Sequence, residues 1–151
     1  MKGEFFMLGV FIAIISGALM GIQGVFNTGV TKASSVWSAS AFVQFSALLV
    51  CLFVWALTDR TNLLNVFHVD SKYMLLGGAI GAFITYTVVV SVSKLGPAKA
   101  AMFIVIAQLI VAYLIELLGL FGITKQPVSM KKVLGMLIAI IGIVIFKWES
   151  A

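Results

Sequence analysis

The sequence predicts an all-α integral membrane protein, a single domain of five transmembrane helices, and three observations lead to it. Hydrophobic residues make up 62% of the 151 residues and charged residues only 10%, whereas a water-soluble domain carries about 25% charged residues. The apolar residues gather into five stretches of roughly 20, the length that crosses a hydrocarbon core about 30 Å thick. The 10 Lys and Arg residues fall almost entirely between or beside those stretches, where they meet lipid headgroups.

The lipid bilayer is therefore the first partner, and the net charge of +5 is not the footprint of a nucleic acid. Cys51 is the only cysteine, which excludes an internal disulfide, a thiol pair and a zinc cluster. There is no Ser-His or Cys-His pair, no metal-ligand spacing and no phosphate-binding glycine loop. Neither an enzyme nor a cofactor is expected.

The first span covers residues 5–27. Lys2 followed by an apolar run and Ser16, Gly17 and Ala18 resembles a secretory signal, but the run continues to Phe26, beyond a signal h-region. Gly9, Ala13, Gly17, Gly21 and Gly24 recur at helical spacing, and small residues at such intervals let membrane helices approach closely. Gln23 and Asn27 lie four apart on one face. Amides of this kind either bond to a neighbouring helix or line a polar cavity.

The second span covers residues 37–57. Trp37 and Trp55 stand about 27 Å apart along it and bracket the hydrocarbon as an aromatic belt. Ser40 and Gln44 share a face within it. Residues 59–72 form the longest polar interval and hold the only His, His68, to which no catalytic role is given; a short helix on the membrane surface is expected here. The third span, residues 73–92, opens on Gly77, Gly78 and Gly81, and its second half carries Thr85, Tyr86, Thr87 and Ser91. These suggest a polar wall, although hydroxyls in membrane helices commonly bond back to their own backbone.

Gly96 permits a turn and Pro97 suits the first position of a helix, so the third and fourth spans are expected to be antiparallel neighbours. The fourth span, residues 99–121, holds the one acidic residue inside a membrane-length apolar stretch, Glu116. A carboxylate in hydrocarbon costs at least about 2.5 kcal/mol unless it faces protein or water, so it marks a functional site. With the helix centred near Ile110, Gln108 lies close to the midplane and Glu116 about 9 Å from it. Snorkelling to the interface is the alternative. Lys125, Gln126 and Pro127 break the helix, and the fifth span runs over residues 132–148. In it Gly135, Ala139 and Gly142 form a small-residue face suited to pairing with a copy of itself.

Five spans place the termini on opposite sides. Lys2, Arg60, Lys72, Lys125, Lys131 and Lys132 fall on the N-terminal side; Lys32, Lys94, Lys99 and Lys147 fall on the other. Positive residues beside span ends fix topology, and six against four is a weak bias that leaves insertion in both orientations open. Oppositely inserted copies would form an antiparallel dimer with the inverted symmetry of many secondary transporters. Within one copy Gln23 and Asn27 lie toward the opposite membrane face from Glu116. A second, inverted copy would bring its amides to the depth of the first Glu116, giving composite sites with Gln108 near the shared midplane.

The stretches SGALMGIQGVFNTGV, LLGGAIGAFITYTVVVSVSKLGPA and AQLIVAYLIELLGLFG resemble the YdcZ-type inner-membrane exporters, the five-span branch of the drug/metabolite transporter superfamily. That family more often shows Asp followed by His at the acidic position, where this chain has Glu116 and Leu117. Gly135 and Gly142 are also similar to the glycine heptad that pairs the last helices of the small multidrug resistance proteins. Those relatives work as antiparallel dimers and carry their coupling Glu in the first span, where this chain has only Glu4, at its terminus. The resemblance implies a drug/metabolite transporter-like half, completed as a dual-topology homodimer, in the bacterial inner membrane. It further implies an exporter of small organic solutes.

Together these readings favour a secondary transporter in which Glu116 serves proton and substrate, with Gln108, Gln23, Asn27, Gln44, Tyr86 and Ser91 as further binding residues. A non-transporting membrane scaffold, or one subunit of an obligate heterodimer with an oppositely oriented partner, is the alternative.

Overall fold

The computed structural model describes residues 2–148. Among them the chain forms five α-helices: α1 (Lys2–Lys32), α2 (Val36–Thr58), α3 (Gly77–Leu95), α4 (Pro97–Leu118) and α5 (Met130–Trp148). Their contacts divide the chain into two units, residues 1–94 with α1 to α3 and residues 95–151 with α4 and α5.

Among the described residues four segments are long and apolar enough to cross a membrane: Gly3–Lys32, Val36–Thr58, Lys72–Leu95 and Pro97–Leu118. The fifth helix differs in kind. It has 19 residues, but Lys131, Lys132 and Lys147 leave a lysine-free run from Val133 to Phe146 that is about 21 Å long, shorter than the roughly 30 Å of a hydrocarbon core. Its apolar run by itself is therefore too short to cross.

In the first unit α1 outruns the apolar stretch 5–27 at both ends. In its polar end the hydroxyls of Thr28 and Thr31 donate to the carbonyls of Gly24 and Asn27, at 2.8 and 2.9 Å, and so are satisfied within the helix. Ser35 then caps α2, its Oγ accepting the Ser38 N–H at 3.1 Å. At the far end of α2 the Trp55 indole donates to the Thr61 carbonyl at 3.0 Å, which ties the anchor residue to the loop after it.

The expected surface helix over 59–72 is replaced by two 3₁₀ segments, Leu63–His68 and Lys72–Leu76. Asn62 starts the first, accepting the Leu64 N–H at 2.9 Å, and Ser71 precedes the second. Two starts so close together leave pieces too short for α-helical nucleation, and the tighter turn takes over.

Packing in this unit follows the small and aromatic residues. Trp37 stacks on Tyr86 with ring centroids 4.6 Å apart and meets Phe83 edge-on at 6.4 Å. A Cβ placed on Gly81 would lie 3.6 Å from Gln44 Nε2. Because Trp37 precedes Gln44 while Tyr86 follows Gly81, α2 and α3 run antiparallel. Gly24 brings α1 against Val88 and Val92 of α3, at 3.5 and 3.6 Å from a would-be Cβ. Trp37 is thus a packing residue as well as a belt residue. Trp37→Ala is expected to cost the aromatic pairing, about 0.5–1.5 kcal/mol beyond the area lost, and to lower the melting temperature of the detergent-purified protein.

The glycine seam of α1 is used only in part. Residues 3–23 are left exposed by the other helices of this unit, and a Cβ on Gly9, Gly17 or Gly21 would meet open space. Gly77 and Gly78 of the 73–92 seam are likewise open, and Gly81 alone makes the close approach.

In the second unit Gly96, at φ 79°, precedes Pro97 at the start of α4 as expected. Ile106, Leu109 and Ile110 of α4 face Met136, Ala139 and Ile140 of α5 around a small apolar gap. Ala139 therefore packs inside the chain, whereas a Cβ on Gly135 or Gly142 would meet open space.

The fourth helix stops at Leu118, short of Phe121, because Gly119 takes the left-handed conformation at φ 66° and its N–H returns to the Ile115 carbonyl. The following chain folds back, and the Gln126 N–H donates to the Glu116 carbonyl at 2.9 Å. A Cβ on Gly119 would lie 3.1 Å from Lys125 Cβ. Gly119→Ala is expected to destabilise the protein by about 1–2 kcal/mol, the cost of a left-handed non-glycine residue, with further strain from that contact. Thermal unfolding in detergent measures it.

Candidate functional site

With α4 ending at Leu118, its midpoint falls between Ala107 and Gln108, and Glu116 lies about 13 Å along the axis from it. Gln108 thus sits at mid-helix, as the sequence suggests, while Glu116 stands in the last turn, near the edge of a hydrocarbon core about 30 Å thick.

Glu116 is not a lone carboxylate. The Lys132 ammonium, in the first turn of α5, donates to Glu116 Oε2 at 2.5 Å. The Glu116 side chain remains 41% exposed and that of Lys132 51%, so both stay reachable by a ligand. Tyr113, three residues before Glu116 on the same face of α4, places its ring 5.7 Å from Lys132 Nζ, within cation–π range. Its hydroxyl oxygen accepts the Ser129 N–H at 3.0 Å, which fixes the phenol and leaves its own proton free to be donated. These three residues, with Leu109, Ala112, Gly135 and Met136, line a cavity of about 330 Å³. It offers a carboxylate, an ammonium and a phenol against an apolar wall.

Sequence reasoning passed over Tyr113 and Lys132. The helical spacing to Glu116 was the available signal for Tyr113. For Lys132 there was none, because its approach depends on how the chain folds back between Gly119 and Ser129, which no periodicity encodes.

The first unit holds a larger cavity, about 710 Å³, between α1 and α2. Gln23, Asn27 and Ser46 are its polar lining, among apolar residues such as Leu19, Phe26, Phe42 and Val43. Asn27 is only 8% exposed, whereas Gln23 is open. The pairing of these amides read from their spacing is therefore present as one side of a cavity.

Other candidate residues stand apart from both cavities. Gln108 is exposed on α4. Gln44 packs at Gly81 and Tyr86 is engaged by Trp37. Ser91 is half-buried on α3. The Thr85 and Thr87 hydroxyls donate to the Gly81 and Phe83 carbonyls, at 3.0 and 2.9 Å, so half of the expected polar wall is turned onto its own helix. Ser40, neighbour of Gln44 on one face of α2, is 3% exposed.

Residues 8–145 match a family model described as "Putative inner membrane exporter, YdcZ". No curated protein and no solved structure matches the chain.

Proposed function

The chain belongs to the YdcZ family of inner membrane exporters, and from that premise we propose that it is a secondary active transporter exporting small organic metabolites or drug-like solutes. Family and helices together make it a multi-pass inner-membrane protein that handles a small-molecule substrate, a transporter rather than an enzyme. In the proposed mechanism Glu116 is the coupling carboxylate. The observation that carries it is the ion pair of Glu116 with Lys132 inside a cavity. A paired carboxylate has a defined resting partner, and proton or substrate must take that partner's place. Proton and cationic groups would then compete for the same carboxylate oxygens.

We further propose a five-span fold completed as an antiparallel homodimer, a drug/metabolite transporter-like half doubled by inversion. The open face of α1 supports this reading. Residues 3–23 of α1 are uncovered, and their Gly9, Gly17 and Gly21 would accept a second helix at close range. Inversion would set Gln23 and Asn27 of one copy at the depth of Glu116 in the other, with Gln108 of both near the midplane. Alternating access would then exchange two mirror-related states. Gln44, Tyr86 and Ser91 belong to this proposal as further binding residues.

The same open face favours one second reading, a subunit completed by a different, oppositely oriented protein. Reconstituting the purified single chain separates the two. Solute movement against its gradient, driven by an imposed pH difference across the vesicle, supports the self-sufficient exporter. Absence of any such flux, with flux restored only by a second membrane protein, supports the heterodimer.

A further inference from the structure

We infer that the Glu116 cavity takes a small zwitterion, a molecule carrying an ammonium and an acid group on an apolar body, as an α-amino acid does. This rests on the exporter reading of the site and names its substrate class. The argument begins from the charge balance. The resting site is neutral, because Glu116 is held by Lys132. A simple cation that reached the carboxylate would leave the Lys132 ammonium without its partner in an apolar cavity, and a simple anion would do the same to Glu116. Either exchange would break the ion pair and leave one half-exposed charge without an opposite partner. A zwitterion avoids both losses: its ammonium replaces that of Lys132 on Glu116, and its acid group replaces the carboxylate on Lys132. The exchange keeps every charge paired and the site neutral.

Three further features fit the same ligand. Tyr113 has its oxygen occupied by the Ser129 N–H, so its remaining proton is a second donor for an acid group beside Lys132. Its ring face, already 5.7 Å from an ammonium, suits a ligand ammonium equally. The rest of the lining, Leu109, Ala112, Gly135 and Met136, is apolar and suits a hydrocarbon side chain. A volume of about 330 Å³ sits at the small end of ligand pockets, which run from about 300 to 1,000 Å³.

The ligand chemistry has two sources, a free zwitterion or the headgroup of phosphatidylethanolamine, and the experiment separates them. The full chain is purified into nanodiscs of phosphatidylglycerol alone, which supply no lipid ammonium. Binding is followed by thermal shift and by calorimetry. The probes are leucine with 3-methylbutylamine and 4-methylpentanoate, which lack its acid and its amine respectively, and phenylalanine with phenethylamine and 3-phenylpropionate. The expected result is half-saturation by at least one amino acid at a concentration about ten- to a hundredfold below that of its amine and its acid, the fold-change a charge-assisted hydrogen bond supplies. In Lys132→Met the preference is expected to pass to the amine, and in Glu116→Gln to the acid, gains that misfolding cannot mimic.

An amine that binds wild-type protein as tightly as its amino acid overturns the inference and leaves a cation exporter standing. Failure of both amino acids to bind overturns it as well. So does a stabilisation that phosphatidylethanolamine nanodiscs provide and neither amino acid does, which makes this a lipid site. The exporter reading fails separately, if vesicles show zwitterion binding but no coupled flux.

Discussion

Glu116→Gln is expected to bring proton-coupled transport to the background of protein-free vesicles while the protein still purifies as a folded, helical species. The substitution preserves the size of the side chain and the Gln126 N–H bond to the residue 116 carbonyl, because that bond uses the backbone. It removes the carboxylate that proton and substrate are proposed to share. It also leaves Lys132 without its anionic partner. Fold and coupling are therefore separable at this position. Proton movement read by a pH-sensitive dye inside the vesicles, with circular dichroism on the same preparation, checks both halves. Full transport by the Gln variant would remove Glu116 from the mechanism, whereas a helical content well below wild type would make the residue structural.

The second large effect concerns orientation. If the protein works as an antiparallel homodimer, a chain forced into one orientation is expected to lose transport, and two chains forced into opposite orientations are expected to regain it together. The lysines make such variants accessible, since positive residues flanking the spans fix topology. Replacing Lys32, Lys94 and Lys99 with Gln leaves one of the four positive residues on that side, against six on the other. Replacing Lys2, Arg60, Lys72 and Lys125 reverses the bias, with two against four. Reporters fused after Ala151 that are active on one side of the membrane only should give signal on both sides for the wild-type chain and on one side for each variant. Transport lost in each variant alone and restored by co-expression supports the dimer. Activity of a single-orientation variant on its own would remove the need for an inverted copy.

The helices were legible because length and hydropathy decide membrane spans almost unaided. Four of the five expected spans coincide with segments able to cross a bilayer. The ends were less legible. Helix α1 continues through polar residues to Lys32, with the Thr28 and Thr31 hydroxyls turned onto its own carbonyls, and a left-handed Gly119 stops α4 inside an apolar run. Glu116 stood out because charge inside hydrocarbon is rare. Its partner did not, because Lys132 belongs to a basic pair of the kind that ordinarily marks a helix end. The small residues show the same limit from the other side. Gly24 and Gly81 meet neighbours while Gly9, Gly17 and Gly21 do not, and spacing alone makes them equivalent.

Glu116 holds two structures with two different parts of itself. Its carbonyl fastens the returning loop through Gln126, and its carboxylate fastens α5 through Lys132. The two bonds use different atoms, one of the backbone and one of the side chain, so an exchange of partners at the carboxylate, as proposed, would not by itself break the bond that holds the loop.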